Sequence, residues 1–255
     1  MTELLQGLVT AGCGALVGLS LGTVGGGGSI LAVPLMVYVI GVRDAHVAIG
    51  TSALAVAVNA AASLACHAQN GTVKWRCGGV FAGAGIAGAL LGSTVGQWVN
   101  GQRLLALFAL VMIAVGIMMV RRRHNVGTEG AACTRGNAPQ VVGYGVGTGL
   151  FSGFFGIGGG FLIVPGLVAA TDMPMINAIG TSLVAVTAFG ATTALNYARA
   201  NLVDWPLAAT FIAGGVAGSL LGTRLAKRLS GGGRLTSAFA VLIFVVAGYM
   251  LWRSA

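Results

Sequence analysis

The chain has 255 residues, of which 56% are hydrophobic and 7% are charged, and its mean hydropathy is +0.91. Soluble domains carry roughly 25% charged residues, so this composition excludes a water-soluble globular protein. The net charge of +9 is spread over short loops, which favours membrane orientation signals over a nucleic-acid-binding surface.

Ten apolar segments follow one another along the chain, and each is long enough, or nearly so, to cross a hydrocarbon core of roughly 30 Å. They cover residues 4–22, 29–42, 45–66, 78–99 and 104–120 in the first half, and 141–156, 160–170, 177–198, 205–225 and 235–252 in the second. We predict an all-α polytopic membrane protein with an N-terminal transmembrane repeat (1–120), a basic cytoplasmic linker (121–140) and a C-terminal transmembrane repeat (141–255). The short second segment of each half is either a full crossing or part of a re-entrant hairpin.

The two halves of the chain repeat each other in sequence. Four landmarks recur in the same order, about 130 residues apart, which makes chance similarity between two apolar regions a poor explanation. The matching pairs are VGGGGSILAVP at 24–34 with FGIGGGFLIVP at 155–165, AIGTSALAV at 48–56 with AIGTSLVAV at 178–186, VKW at 73–75 with VDW at 203–205, and IAGALLG at 86–92 with VAGSLLG at 216–222.

The basic residues predict how the halves are oriented. Lys74 and Arg76 follow the third segment, an arginine run at 121–123 follows the fifth, and four further basic residues lie between 224 and 234. The positive-inside rule places all three regions in the cytoplasm. The loop around Asp204, which corresponds to the loop around Lys74, is then outside, as are both termini. The halves are therefore predicted to be inverted repeats.

The two glycine clusters are the first candidate site. Four consecutive glycines at 25–28 hold a helix poorly, since each costs about 1 kcal/mol relative to alanine. A new helix beginning near Ser29 or Gly160 would direct free N–H groups at the break, which attracts anions. The candidate substrate-binding residues are Gly27, Gly28, Ser29, Gly158, Gly159 and Gly160, with Pro34 and Pro165 as structural helix-breaking residues. A plain inter-helix turn remains the alternative.

A polar stripe on the third segment is the second candidate site. Ser52, Asn59, Ser63 and His67 fall within a sector of roughly 80° on a helix, and polar groups in an apolar helix face the bundle interior. Thr51 and Ser52 recur in the second half as Thr181 and Ser182, whereas Asn59 is replaced by Phe189 and His67 by Tyr197. These groups either coordinate a substrate or form ordinary interhelical hydrogen bonds.

The sequence contains no pattern that favours catalysis. No paired carboxylates, H-E-x-x-H motif or Cys/His metal cluster occurs within a segment. We predict neither enzymatic activity, nor a cofactor, nor a metal site. The four cysteines form no C-x-x-C pair and are interpreted as small buried apolar residues.

The duplicated motifs together resemble those of the TauE/SafE (sulfite exporter-like) family of integral membrane proteins, and the resemblance covers nearly the whole chain. It implies a secondary carrier with duplicated halves, linked to sulfur-containing anions such as sulfite, thiosulfate and sulfonates. Carried onto this chain, the resemblance implicates Pro34, Pro165, both glycine clusters and both Gly-Thr-Ser triplets. The first cluster reads GGGGS where the second reads GIGGG, which leaves open whether the two copies open alike.

We therefore expect a secondary transporter of a small, sulfur-containing anion in the inner membrane of a prokaryote, working by alternating access of inverted halves. Its expected partners are the lipid bilayer and the anion, with no nucleic acid. Protons or another coupling ion, and a homo-oligomer, are left open. The alternatives are an uncoupled channel-like facilitator and a non-transporting membrane scaffold or accessory subunit.

Overall fold

The helices lie close to where the apolar segments predict them. A computed structural model describes residues 2–121, 133–134, 136–156, 160–229 and 248, and these form no β-strand. The predicted segment 235–252 lies outside the described residues, apart from Gly248. The elements are α1 (Thr2–Val24), a 3₁₀ helix (Gly25–Leu31), α2 (Ala32–Pro34), a π-helix (Leu35–Ile40), α3 (Ala45–Gln69), α4 (Trp75–Trp98), α5 (Gly101–Arg121), α6 (Ala138–Phe155), α7 (Gly160–Thr171), α8 (Met175–Arg199) and α9 (Trp205–Leu229).

Five helices of the described part are long and apolar enough to cross a membrane. They have 20 to 25 residues each and a mean hydropathy of 1.4 to 1.7. At 1.5 Å per residue, a 25-residue helix is about 37 Å long, which exceeds the hydrocarbon thickness. The prediction of an all-α multi-pass membrane protein is confirmed. The five spans are Leu5–Val24, Ala45–Gln69, Trp75–Trp98, Met175–Arg199 and Trp205–Leu225.

Helices α3 and α8 pack against each other in antiparallel fashion at the centre of the bundle. A methyl group added at Gly50, near the start of α3, would overlap Tyr197, near the end of α8. Further along, Gly190 of α8 lies against Ala53 and Ala57 of α3. The loop that follows α3 and the loop that follows α8 therefore lie at opposite ends of this helix pair.

The outer helices pair between the two halves of the chain. Helix α1 packs along α9, and α4 packs along α6, through glycine stripes that allow backbones to touch. A methyl group at Gly18 would overlap the carbonyl oxygen of Gly215, and one at Gly149 would overlap that of Gly85. The first helix of each half is thus held by the fourth helix of the other, which interlocks the halves.

The first glycine cluster is helical, which differs from the expected opening of the backbone. The chain turns at Gly25, whose φ is +68°, and continues at once as the 3₁₀ helix instead of restarting near Ser29. Pro34 ends α2, and the π-helix that follows it ends at Gly41 in the left-handed conformation. Glycine allows the positive φ at Gly25 and, without a side chain, lets the 3₁₀ turn pack closely against neighbouring backbones. The break is therefore confined to one residue.

One disulfide differs from the sequence interpretation of the cysteines. Cys77, in the first turn of α4, is bonded to Cys133, and their Cα atoms are 5.3 Å apart. The pairing was not visible in the sequence because 56 residues separate the two cysteines and no spacing motif marks them. Cys13, which is buried, and Cys66, which is partly buried, are free thiols and fit the original interpretation.

Candidate functional site

The two glycine breaks meet in a buried contact between the two halves of the chain. A methyl group at Gly26 would lie 2.7 Å from the carbonyl oxygen of Gly160, and one at Gly160 would overlap the carbonyl oxygen of Gly26. The side chain of Val186 closes the contact from α8. Only glycine allows two backbones to approach this closely. The start of the 3₁₀ helix and the start of α7 therefore face each other across the two halves.

Left-handed glycines place the breaks against the residues that precede the Gly-Thr-Ser triplets. Gly25 ends α1 with φ +68°, and Gly156 ends α6 with φ +65°. A methyl group at Gly25 would lie 2.8 Å from the carbonyl oxygen of Ile179, and one at Gly156 would overlap the side chain of Ile49. Ile49 and Ile179 occupy corresponding positions in the repeat, so each break rests on the opposite half.

The serines of the two triplets bind backbone groups. Ser182 Oγ donates to the carbonyl of Ile179 at 2.7 Å and accepts the N–H of Gly26 at 3.2 Å. Ser52 Oγ donates to the carbonyl of Ile49 at 2.9 Å. Ser29, expected to start the helix after the break, donates instead to the carbonyl of Gly26 at 2.9 Å. A hydroxyl group can donate only one hydrogen bond, and in these serines a backbone carbonyl accepts it.

The threonines of the two triplets make reciprocal contacts between the halves. Thr51 Oγ1 accepts the backbone N–H of Asp204 at 3.0 Å, and Thr181 Oγ1 accepts the backbone N–H of Lys74 at 2.9 Å. Asp204 and Lys74 immediately precede α9 and α4, where backbone N–H groups lack intrahelical partners. Each triplet therefore supports the start of the fourth helix of the other half.

The polar stripe on α3 ends at a hydrogen-bonded histidine. His67 is buried, and its Nε2 lies 3.2 Å from the carbonyl oxygen of Gly22 in α1. A carbonyl only accepts, so Nε2 carries a hydrogen and donates it. Its Nδ1 lies 3.0 Å from Thr72 Oγ1. The predicted site residue His67 therefore ties the end of α3 to α1.

Asn59 and Ser63 are the members of the stripe that lack partners. Both are 0% exposed, and the amide nitrogen and oxygen of Asn59 and Oγ of Ser63 have no hydrogen-bond partner among the described residues. Polar groups are rarely buried in this way without a partner. Sequence reasoning singled out Asn59 as a site residue and placed Ser63 on the same stripe, but it had no means of showing that both were unpaired.

The remaining predicted site residues lie in or beside the breaks. Gly27 belongs to the 3₁₀ helix, and Gly28 packs against the backbone of α1 at Leu21. Pro165 lies inside α7. Gly158 and Gly159 lie outside the described residues. The structure thus brings Gly26, Gly160, Ser182 and Val186 together, with the two triplet threonines supporting the neighbouring helix starts.

The sequence matches the profile of the sulfite exporter TauE/SafE family over residues 10–250. The chain belongs to the TauE/SafE family. The expected resemblance is confirmed, and with it the general function of a membrane transporter.

Proteins similar to this chain occur in bacteria and archaea. A protein of Xylella fastidiosa named "Probable membrane transporter protein" is 52% identical, over 97% of this chain and 95% of its own. YunE of Bacillus subtilis, which has the same description, is 25% identical over 88% of this chain and 87% of its own. MJ0441 of Methanocaldococcus jannaschii is 26% identical over 74% and 71% of the two chains. No solved structure matches this chain.

Proposed function

We propose that this TauE/SafE protein is a secondary transporter of a small sulfur-containing anion, such as sulfite, thiosulfate or an organosulfonate, in the inner membrane of a prokaryote. Transport proceeds by alternating access, as two inverted halves rock about their shared centre. The family supports the transporter class, and the sulfur anion is the finer step proposed here.

The observation that carries the proposal is the contact between the two breaks. Gly26 and Gly160 bring the first turns of the 3₁₀ helix and of α7 together at the centre of an apolar bundle. The positive ends of two helices then lie close together, which favours binding of a negative charge next to this contact. Irregular backbone at membrane depth is tolerated where protein covers it or where it lines a cavity.

The reciprocal threonine contacts support alternating access. Thr51 and Thr181 hold the starts of α9 and α4, and antiparallel packing of α3 and α8 separates these contacts along the membrane normal. Each contact joins the two halves at one side of the membrane. Releasing one while keeping the other would open the molecule toward that side.

The proposed function is tested by binding and flux measurements on the purified protein. We expect one of sulfite, thiosulfate, sulfoacetate or taurine to raise the melting temperature, since a ligand that binds only the folded state stabilises it by mass action. The same anion is expected to exchange across proteoliposomes with saturable kinetics. Non-saturating flux would indicate a channel-like facilitator, and the absence of both stabilisation and flux would contradict the proposal.

A further inference from the structure

We propose that Asn59 and Ser63 form a subsite for the transported anion where α1, α3 and α9 meet, and that the second half has no equal subsite. This inference rests on the proposed anion transport. It adds which side of the pseudo-symmetric bundle contacts the anion and with which atoms.

The first argument is that Asn59 and Ser63 have unused hydrogen-bonding capacity. They are four residues apart on α3 and so lie on one helix face. Together they offer two amide N–H donors, one O–H donor and the amide oxygen. All of these atoms are buried without a partner among the described residues. Leaving such groups unpaired destabilises the protein, which makes a ligand at this position favourable.

The second argument is that Ser63, like Ser152 and Thr193, lacks the local hydrogen bond that many hydroxyl groups of the bundle make. Thr148, Thr171 and Thr187 each donate to the carbonyl four residues earlier, at 2.7, 2.7 and 2.8 Å respectively. This local bond is the usual way to satisfy a hydroxyl inside a helix. Ser63 Oγ makes no such bond. Its hydrogen therefore stays available to a group that approaches Asn59 and Ser63.

The third argument is that glycines hold the Asn59 amide at a junction of three helices. Asn59 lies against Gly215 of α9, where an added methyl group would overlap the amide nitrogen. Gly18 of α1 lies against the carbonyl of the same Gly215. The two glycines let α1, α3 and α9 pack closely, which fixes the position of the Asn59 amide at their junction. His67, one turn beyond Ser63, anchors α3 to α1 through Gly22 and fixes the far end of the subsite.

The hydrogen-bonding atoms favour an anion over a cation. The three donors can each bind an oxygen of an oxyanion, whereas a metal ion would find only the amide oxygen and a hydroxyl. Uncharged donors also bind an anion without forming a permanent ion pair inside the membrane. Such a subsite holds the anion loosely enough to release it.

The second half carries an aromatic ring at the corresponding place. Phe189, which aligns with Asn59, packs against Gly85 just as Asn59 packs against Gly215. Its ring stacks on Phe81, with ring centroids 6.4 Å apart. Thr193, which aligns with Ser63, keeps an unpartnered hydroxyl, but the amide of Asn196, three residues further on, is already bonded to Ser93. The proposed subsite therefore belongs to the first half of the chain and has no equivalent in the second half.

The test compares Asn59→Leu, Ser63→Ala and the double variant with Thr187→Val, a control whose hydroxyl serves only its own helix. The measurements are the melting temperature with thiosulfate or sulfite and the half-saturating concentration for flux. We expect Asn59→Leu and Ser63→Ala to fold, because each removes an unpaired polar group. We also expect the half-saturating concentration to rise at least 10-fold, and stabilisation by the anion to disappear in the double variant.

Each outcome of this test decides between the proposals. If the double variant binds and transports like the wild type, the polar groups hold only buried water, and the subsite is wrong while anion transport stands. If Asn59→Leu does not fold, Ser63→Ala decides the question alone, since it removes one oxygen atom. If the wild-type protein neither binds nor transports any of the anions, both proposals are overturned.

Discussion

Replacing Gly26 or Gly160 by alanine should lower transport at least 10-fold, measured as flux at equal amounts of protein. The added methyl group would overlap the backbone of the opposite break, and this backbone cannot move aside as a flexible side chain can. Overpacking of this kind costs roughly 1–3 kcal/mol. The loss would be measured as uptake into proteoliposomes, together with the melting temperature of each variant.

The matched controls for the glycine variants are Gly7→Ala in α1 and Gly143→Ala in α6. These helices lead into the two breaks, and neither glycine has an atom near the added methyl group. Alanine is the better helix former by up to about 1 kcal/mol, so both controls should be as stable as the wild type or more stable. Full transport by Gly26→Ala and Gly160→Ala would contradict a functional contact between the breaks.

Replacing Thr51 or Thr181 by valine should weaken the tie between the halves. Each substitution keeps the shape of the side chain but leaves the backbone N–H of Asp204 or Lys74 without its acceptor. Loss of one hydrogen bond of this kind typically costs about 1 kcal/mol. Because the contacts lie at opposite ends of the antiparallel α3–α8 pair, we expect the two variants to favour opposite orientations of the transporter and to change the half-saturating concentration in opposite directions.

The effect of the threonine substitutions is measured as transport flux from each side of oriented proteoliposomes. Thr187→Val is the control, since Thr187 lies on α8 like Thr181 but bonds only to Leu183 of its own helix. We expect this control to retain wild-type transport. If Thr51→Val, Thr181→Val and Thr187→Val had equal effects, the reciprocal contacts would only stabilise the helices and would have no specific role in transport.

The length of each apolar run was enough to predict the helices. The segment predicted at 45–66 forms α3 (Ala45–Gln69), and the segment predicted at 205–225 forms α9 (Trp205–Leu229). Hydrophobicity reports directly on burial in lipid, so it marks spans well. It does not report which helices pair. The packing of α1 on α9 depends on glycine stripes that occur in several helices and fit one another only in three dimensions.

The sequence identified several residues of the candidate site, but it did not reveal what these residues contact. The duplicated triplets pointed to Thr51, Ser52, Thr181 and Ser182, which lie between the halves and at a break. Their hydrogen bonds to backbone groups could not be foreseen, because a hydroxyl on a helix has many possible partners. The helical state of the first glycine cluster was also hidden, since propensity disfavours it and the contact with Gly160 stabilises it.

The inversion of the two halves is the central claim of this account, and the pair Lys74 and Asp204 tests it most directly. Both are exposed, align in the repeat and precede corresponding helices, α4 and α9. Each would be replaced by cysteine in a transport-competent variant whose four native cysteines are serine. We expect a membrane-impermeant maleimide to label Asp204→Cys in intact cells and Lys74→Cys only after the membrane is opened. Labelling of both positions from the same side would contradict inverted halves.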